Sequence, residues 1–212
     1  MIPSGISRLL LTAIVMTLAC GSAFGCRNSK QPDSQMPELP YTQMRTADLI
    51  FRRGTGVYSQ MLNMHSDTVQ YSHVGLLVDL DSSWFVVHAV PRELDGPDDF
   101  ERVKLEPLDS FLTHNRCLHA EFVHASLPRT DRVVARALQY ARDSVRFDSE
   151  FDLKDSTKVY CTELIWRLFM IEGIDLSEGR RSYSISPMFR GEGCITPRDL
   201  LLYSQNDSYY IF

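Results

Sequence analysis

The feature that most constrains the fold is a pair of β-branched runs separated by a turn. Ser72-His73-Val74-Gly75-Leu76-Leu77-Val78 and Trp84-Phe85-Val86-Val87-His88-Ala89-Val90 flank Asp79-Leu80-Asp81-Ser82-Ser83. Apolar, β-prone segments of this length joined by Asp and Ser predict an antiparallel hairpin. If residues 79–82 form its loop, Val78 faces Ser83, Gly75 faces Val86 and His73 faces His88. Opposed side chains have Cβ atoms about 4.5–5.5 Å apart. Two imidazoles then share one sheet face within hydrogen-bond reach.

The remaining pattern is mixed. Residues 47–52, 101–105, 118–124 and 209–212 read as further strands. Residues 56–64 and 109–114 read as short helices, with another helical turn around residues 195–201. Thr130 to Arg146 has apolar Val133, Val134, Ala137, Leu138 and Ala141 at helical spacing after Asp131. Residues 147–158 are polar and Asp-rich, a loop. Cys161 to Glu172 is a second long helix, closed by Gly173. The class is α+β, an antiparallel sheet packed against helices.

The N-terminus differs in character. Arg8 precedes the apolar run Leu9 to Ala19, the pattern of a secretory signal and too short for a comfortable membrane span. Cys20 and Cys26 each follow a small residue, which resembles a bacterial lipoprotein processing site. Residues 1–26 are therefore expected to be a signal segment of lipoprotein type, lipidated at Cys20 or Cys26. Residues 27–45 form a polar flexible linker, and residues 46–212 form one domain. The native chain is expected to be an exported, membrane-tethered lipoprotein of the cell envelope. A net charge of -5 without a dense basic stripe excludes a nucleic-acid footprint.

Cys117, Cys161 and Cys194 remain in the domain, and an odd number implies at least one free thiol. Cys161 stands apart because it opens a helix. There the macrodipole and unpaired N–H groups lower a thiol's pKa and can cradle an oxyanion. Cys161 is the candidate nucleophile, His73 the base and His88 the group that orients His73. Tyr160 is a candidate substrate contact. No Cys/His cluster has zinc spacing, and neither a metal nor a cofactor is expected. His65, His114, His119 and His124 read as structural. Asp148, Glu150, Asp152 and Asp155 lack the spacing of an EF-hand loop and read as a solvated loop. Glu163 reads as a helix-start carboxylate that could reach solvent beside the site.

Tyr71 to Val78 and Val159-Tyr160-Cys161-Thr162-Glu163-Leu164-Ile165 resemble the two signature motifs of the YiiX/YebB-like cysteine hydrolases. These are circularly permuted, NlpC-type relatives of papain. Asp48 to Gly54 resembles that family's opening strand, and Phe147-Asp148 and Phe151-Asp152 its approach to the catalytic helix. The resemblance spans roughly residues 46–200. It implies a permuted papain-like fold with histidine before cysteine in the chain. It also implies thiol-dependent cleavage of amide bonds in cell-wall peptides or small acylated amines.

One position departs from that pattern. Bacterial members carry Glu where this chain has His88, and histidine there is similar to the lecithin:retinol acyltransferase-like branch. A lipid acyltransferase or phospholipase-like acyl hydrolase is the alternative activity. A non-catalytic binding module on the same scaffold is the alternative class. The expected partner is thus a peptide, acyl-amine or lipid substrate.

Overall fold

In the computed structural model the described residues are 39–56, 71–182, 193–201 and the backbone of 208–210. The expected helix at 56–64, His65 and both N-terminal cysteines lie outside them. All the described residues belong to the unit Met36–Phe212. Among the described residues no helix is long and apolar enough to cross a membrane.

Among the described residues eight strands form one sheet: β1 (Leu49–Gly54), β2 (His73–Leu80), β3 (Ser83–Val90), β4 (Arg102–Pro107), β5 (Cys117–Val123), β6 (Arg146–Phe147), β7 (Lys158–Val159) and β8 (Ser208–Tyr210). Their spatial order is β7-β6-β4-β3-β2-β1-β5-β8. Every pairing is antiparallel except the short β6–β7 contact. Among the described residues the helices are α1 (Leu108–Phe111), α2 (Thr130–Arg142), α3 (Cys161–Met170) and α4 (Pro197–Leu201).

Strand side chains alternate between the two sheet faces, so the core has two layers. On one face Leu49, Phe51, Val74, Leu76, Val87 and Ala89 pack with Val133 and Ala137 of α2 and Leu164, Ile165 and Leu168 of α3. The other face carries Ile50, Leu77, Val86, Ala120 and Phe122 beneath Leu108 and Phe111 of α1. The long helices therefore cover one side, and the short α1 seals part of the other.

The hairpin register departs from expectation by two residues. Leu80 pairs with Ser83 and Leu77 with Val86, so the turn is the two residues Asp81 and Ser82. Both have positive φ, 53° and 66°, as tight hairpin turns matching strand twist require. The expected four-residue loop does not form: Asp and Ser suit either length, and the left-handed pair closes the tighter turn. A slip of two preserves which face each side chain occupies. His73 and His88 therefore remain on the same face, displaced diagonally rather than directly opposed.

Candidate active site

The site begins where the β2–β3 ladder ends. Their register runs from Leu80↔Ser83 to Leu76↔Val87 and stops, although β2 begins at His73 and β3 continues to Val90. On the α1 side of this region His73 Nε2 lies 2.8 Å from His88 Nδ1. The rings meet edge to face, with centroids 5.1 Å apart. Phe111 of α1 packs against both rings, at 5.7 Å from His73 and 5.1 Å from His88. Gly75 makes room for the diagonal contact: a β-carbon there would stand 3.2 Å from His88 Cβ and 2.3 Å from Val86 Cγ1.

Cys161 comes to this end of β2 from the helix layer, in the cluster that holds Val74. It is the first residue of α3 and is buried. The backbone N–H groups of Val74, which follows His73, of Thr162 and of Cys161 itself act to lower its pKa. These donors favour a thiolate, as expected of a helix start. Burial opposes them and dominates, pushing the thiol up to about 11. The expectation of a depressed Cys161 pKa is thus corrected: the dipole and amides are present, but desolvation of the anion outweighs them. His73 moves the other way. Burial, then the nearby Arg52 guanidinium and His88, hold it well below the ordinary histidine value. Burial thus favours the neutral form of both the thiol and the imidazole.

A third side chain joins the histidines without having been expected from the sequence. Glu106 of β4 lies with Oε1 2.9 Å from His88 Nε2. The contact is an ion-pair approach that does not meet hydrogen-bond geometry, and neither atom has a hydrogen-bond partner among the described residues. Arg116 Nη1 lies 3.1 Å from the other oxygen of Glu106 and 3.4 Å from Glu93 Oε2. Glu93 also pairs with Arg52, whose Nη1 donates to the Phe111 carbonyl at 2.7 Å. Although burial opposes it, His88, Arg116 and Arg52 hold Glu106 below the usual carboxylate range. His88 itself is lowered, chiefly by burial, against the raising effect of Glu106.

Other candidates fall into structural roles. Tyr160 is almost wholly buried, and its hydroxyl accepts the Ile195 N–H at 3.0 Å. That placement corrects its assignment as a substrate contact: the ring packs against Phe151, with centroids 5.0 Å apart, and ties segment 193–195 to the start of α3. Glu163 does not reach solvent. It is fully buried, accepts the Tyr160 N–H at 3.3 Å and pairs with Arg167 at 2.6 Å. Asp148 is buried rather than solvated and accepts the N–H groups of Glu150 and Asp152. His124 pairs with Asp48 at 2.8 Å, and His119 stacks on Tyr71. Cys117, Cys161 and Cys194 are all free thiols.

A helix-start cysteine against the open end of a hairpin that carries a buried histidine pair defines a cysteine hydrolase of papain-like architecture. Residues 43–185 match the permuted papain-like amidase enzyme family YaeF/YiiX, C92, and the chain belongs to that family. The fold is similar to the crystal structure of metalloprotein yiiX from Escherichia coli O157:H7, with a TM-score of 0.59 and 21% identity. That match covers 79% of this chain and 96% of the other. No curated protein matches the chain. Among the described residues of this chain, no three His, Cys, Asp or Glu side chains are grouped so as to hold a metal ion.

Proposed function

We propose that this chain cleaves amide bonds of cell-wall peptides or small acylated amines through an acyl-thioester on Cys161. The observation that carries the reading is the His73–His88 contact at 2.8 Å, with the amide of Val74, next to His73 in the chain, acting to lower the Cys161 thiol's pKa. His73 has committed Nε2 to His88, which leaves Nδ1 to take the thiol proton. As sulfur attacks the carbonyl carbon, the S–H proton passes to His73 Nδ1 and the C=O electron pair moves onto oxygen. Collapse expels the amine, which takes that proton from His73. Water, deprotonated by His73, then releases the acid and restores the thiol. The amides around Cys161 are suited to holding the oxyanion.

Neutral resting partners fit this sequence of steps. Thiolate and imidazolium appear together during attack, when the charge on sulfur passes to the substrate oxygen. His88 keeps the histidine variant of the third position and so favours testing lipid donors beside amides. The experiment is turnover of peptide, acyl-amine and phospholipid panels by wild type, Cys161→Ala and His73→Ala. Amide cleavage lost in both variants supports the reading. Turnover restricted to phospholipids moves the activity to lipid acyl chemistry. Wild-type turnover by Cys161→Ala removes Cys161 from the reaction.

We also propose that the native protein is exported and lipidated at Cys20 or Cys26, on the strength of Arg8 and the apolar run after it. Mass analysis of the mature N-terminus decides this. A diacylglyceryl-modified cysteine supports the anchor, an unlipidated cleaved end supports export alone, and an intact Met1 in a cytosolic protein contradicts both.

A further inference from the structure

We infer that Glu106 is a positioning residue for the reaction: its carboxylate fixes the protonation pattern of His88 and, through it, the nitrogen with which His73 meets the thiol. This rests on the proposed roles of Cys161 and His73 and deepens them.

Protons can be counted along one line of atoms. Glu106 Oε1 faces His88 Nε2 at 2.9 Å. A lone pair on that nitrogen would face a carboxylate oxygen in a buried place, so Nε2 must carry the proton. In a neutral ring His88 Nδ1 is then an acceptor. It lies 2.8 Å from His73 Nε2, which must therefore be the donor. His73 Nδ1 is left with its lone pair, the form a base needs. Without Glu106, neither His88 tautomer is favoured, and half of the possible arrangements put the His73 proton on the wrong nitrogen.

Glu106 also supplies charge. A histidine orienting another histidine has no fixed negative charge to offer when the base becomes cationic. Here a carboxylate stands one ring away from the developing imidazolium. Its charged neighbours keep this carboxylate ionised. Arg116, from the segment before β5, holds its second oxygen at 3.1 Å. Glu93, after β3, joins Arg116 to Arg52 of β1. Two cations and two carboxylates thus balance behind the histidines. Lys104, the cross-strand neighbour of His88, is occupied by Asp95 and Asp99 at 2.9 and 3.2 Å. The His88–Glu106 contact is 2.9 Å long but not aligned as a hydrogen bond, and such contacts tighten as charge develops.

This placement changes what the histidine at position 88 means. A glutamate at position 88 would put a carboxylate directly on the base. In this chain the carboxylate sits one strand further out, and histidine bridges the gap. A His88→Glu substitution would therefore set two carboxylates against each other, and one would have to take up a proton.

The test uses p-nitrophenyl acetate as a general acyl donor, reading acylation of Cys161 by the nitrophenolate burst and by mass. Glu106→Gln keeps the shape and removes the charge. Its acylation rate is expected to fall about tenfold or more, and the acid limb of the pH profile to move down by about one pH unit, because the base loses its stabilising anion. A merely structural role would lower the rate without moving that limb. The second arm compares His88→Glu with His88→Glu/Glu106→Gln, in which the double variant is expected to be at least about tenfold faster. An unshifted acid limb in folded Glu106→Gln, or a double variant no faster than His88→Glu, overturns the inference. Should Cys161→Ala acylate normally, the roles of Cys161 and His73 fail first. Glu106→Gln behaving as wild type while Cys161→Ala is inert overturns the role of Glu106 alone.

Discussion

Gly75 lies directly under His88: a β-carbon on residue 75 would come within 3.2 Å of His88 Cβ and 2.3 Å of Val86 Cγ1. The absence of a side chain at 75 lets the His88 ring cross diagonally to His73. Val86 is fully buried, so it has little room to yield. Gly75→Ala is expected to destabilise the fold by about 1–3 kcal/mol and to slow acylation. Urea unfolding and burst kinetics measure the two effects. Val86→Ala removes the closest clash, so the pair should show favourable coupling in a double-mutant cycle. Strict additivity would show that the two sites do not interact through this clash.

The pairing of a raised thiol with a lowered imidazole predicts a specific reactivity profile. Burial holds Cys161 up at about 11 and pushes His73 well down, so the free enzyme has little thiolate at neutral pH. Alkylation of Cys161 by iodoacetamide, located by peptide mass, should rise continuously through the alkaline range. A plateau already reached near neutral pH would show a resting thiolate–imidazolium pair instead.

Stability should depend on pH through the same histidines. His73 and His88 are both lowered from 6.5 in the folded state. The unfolded chain therefore binds protons at a higher pH than the native one. Their contribution is fully present above the unfolded value of 6.5 and is lost as pH falls through it. Chemical unfolding between pH 8 and pH 5 should show this decline, and His73→Gln should flatten it. An unchanged slope in that variant would contradict the burial of a neutral ring.

Glu163 gives a separate check on the helix that carries the nucleophile. Its carboxyl is buried, pushed up to about 7, and tied to the Tyr160 N–H and Arg167. Glu163→Ala leaves Arg167 without its carboxylate partner, with only the Asp155 and Ser156 carbonyls, and leaves the Tyr160 N–H at the start of α3 unbonded by Glu163. It is expected to cost about 1–3 kcal/mol, read by urea unfolding. Unchanged stability would show that neither contact matters to the fold.

The parts of this site that could be read from sequence are those set by local chemistry. His73 sits in a β-branched run, and Cys161 stands between a polar loop and an amphipathic helix; both signals lie within a few neighbours. The shared face of His73 and His88 was legible because strand alternation survives an even slip in register. Glu106 was not, because its role depends on β4 pairing with β3 so that Glu106 and Val86 are partners. The alternation of Lys104 and Glu106 with apolar Val103 and Leu105 was the available signal, but it names no partner across the sheet. The direction of the Cys161 shift was missed because a helix start is visible in sequence and the depth of burial is not. Tyr160 was misjudged for the same reason: its neighbour Ile195 is brought to it only by the fold.

Whether Cys161 carries the acyl group is decided by intact-protein mass spectrometry after brief incubation with an acylated amine or peptide substrate. The expected result is a mass increase equal to the acyl group, located on Cys161, absent in Cys161→Ala and accumulating more slowly in His73→Ala. Amide turnover by Cys161→Ala at the wild-type rate would contradict a thioester mechanism at this residue.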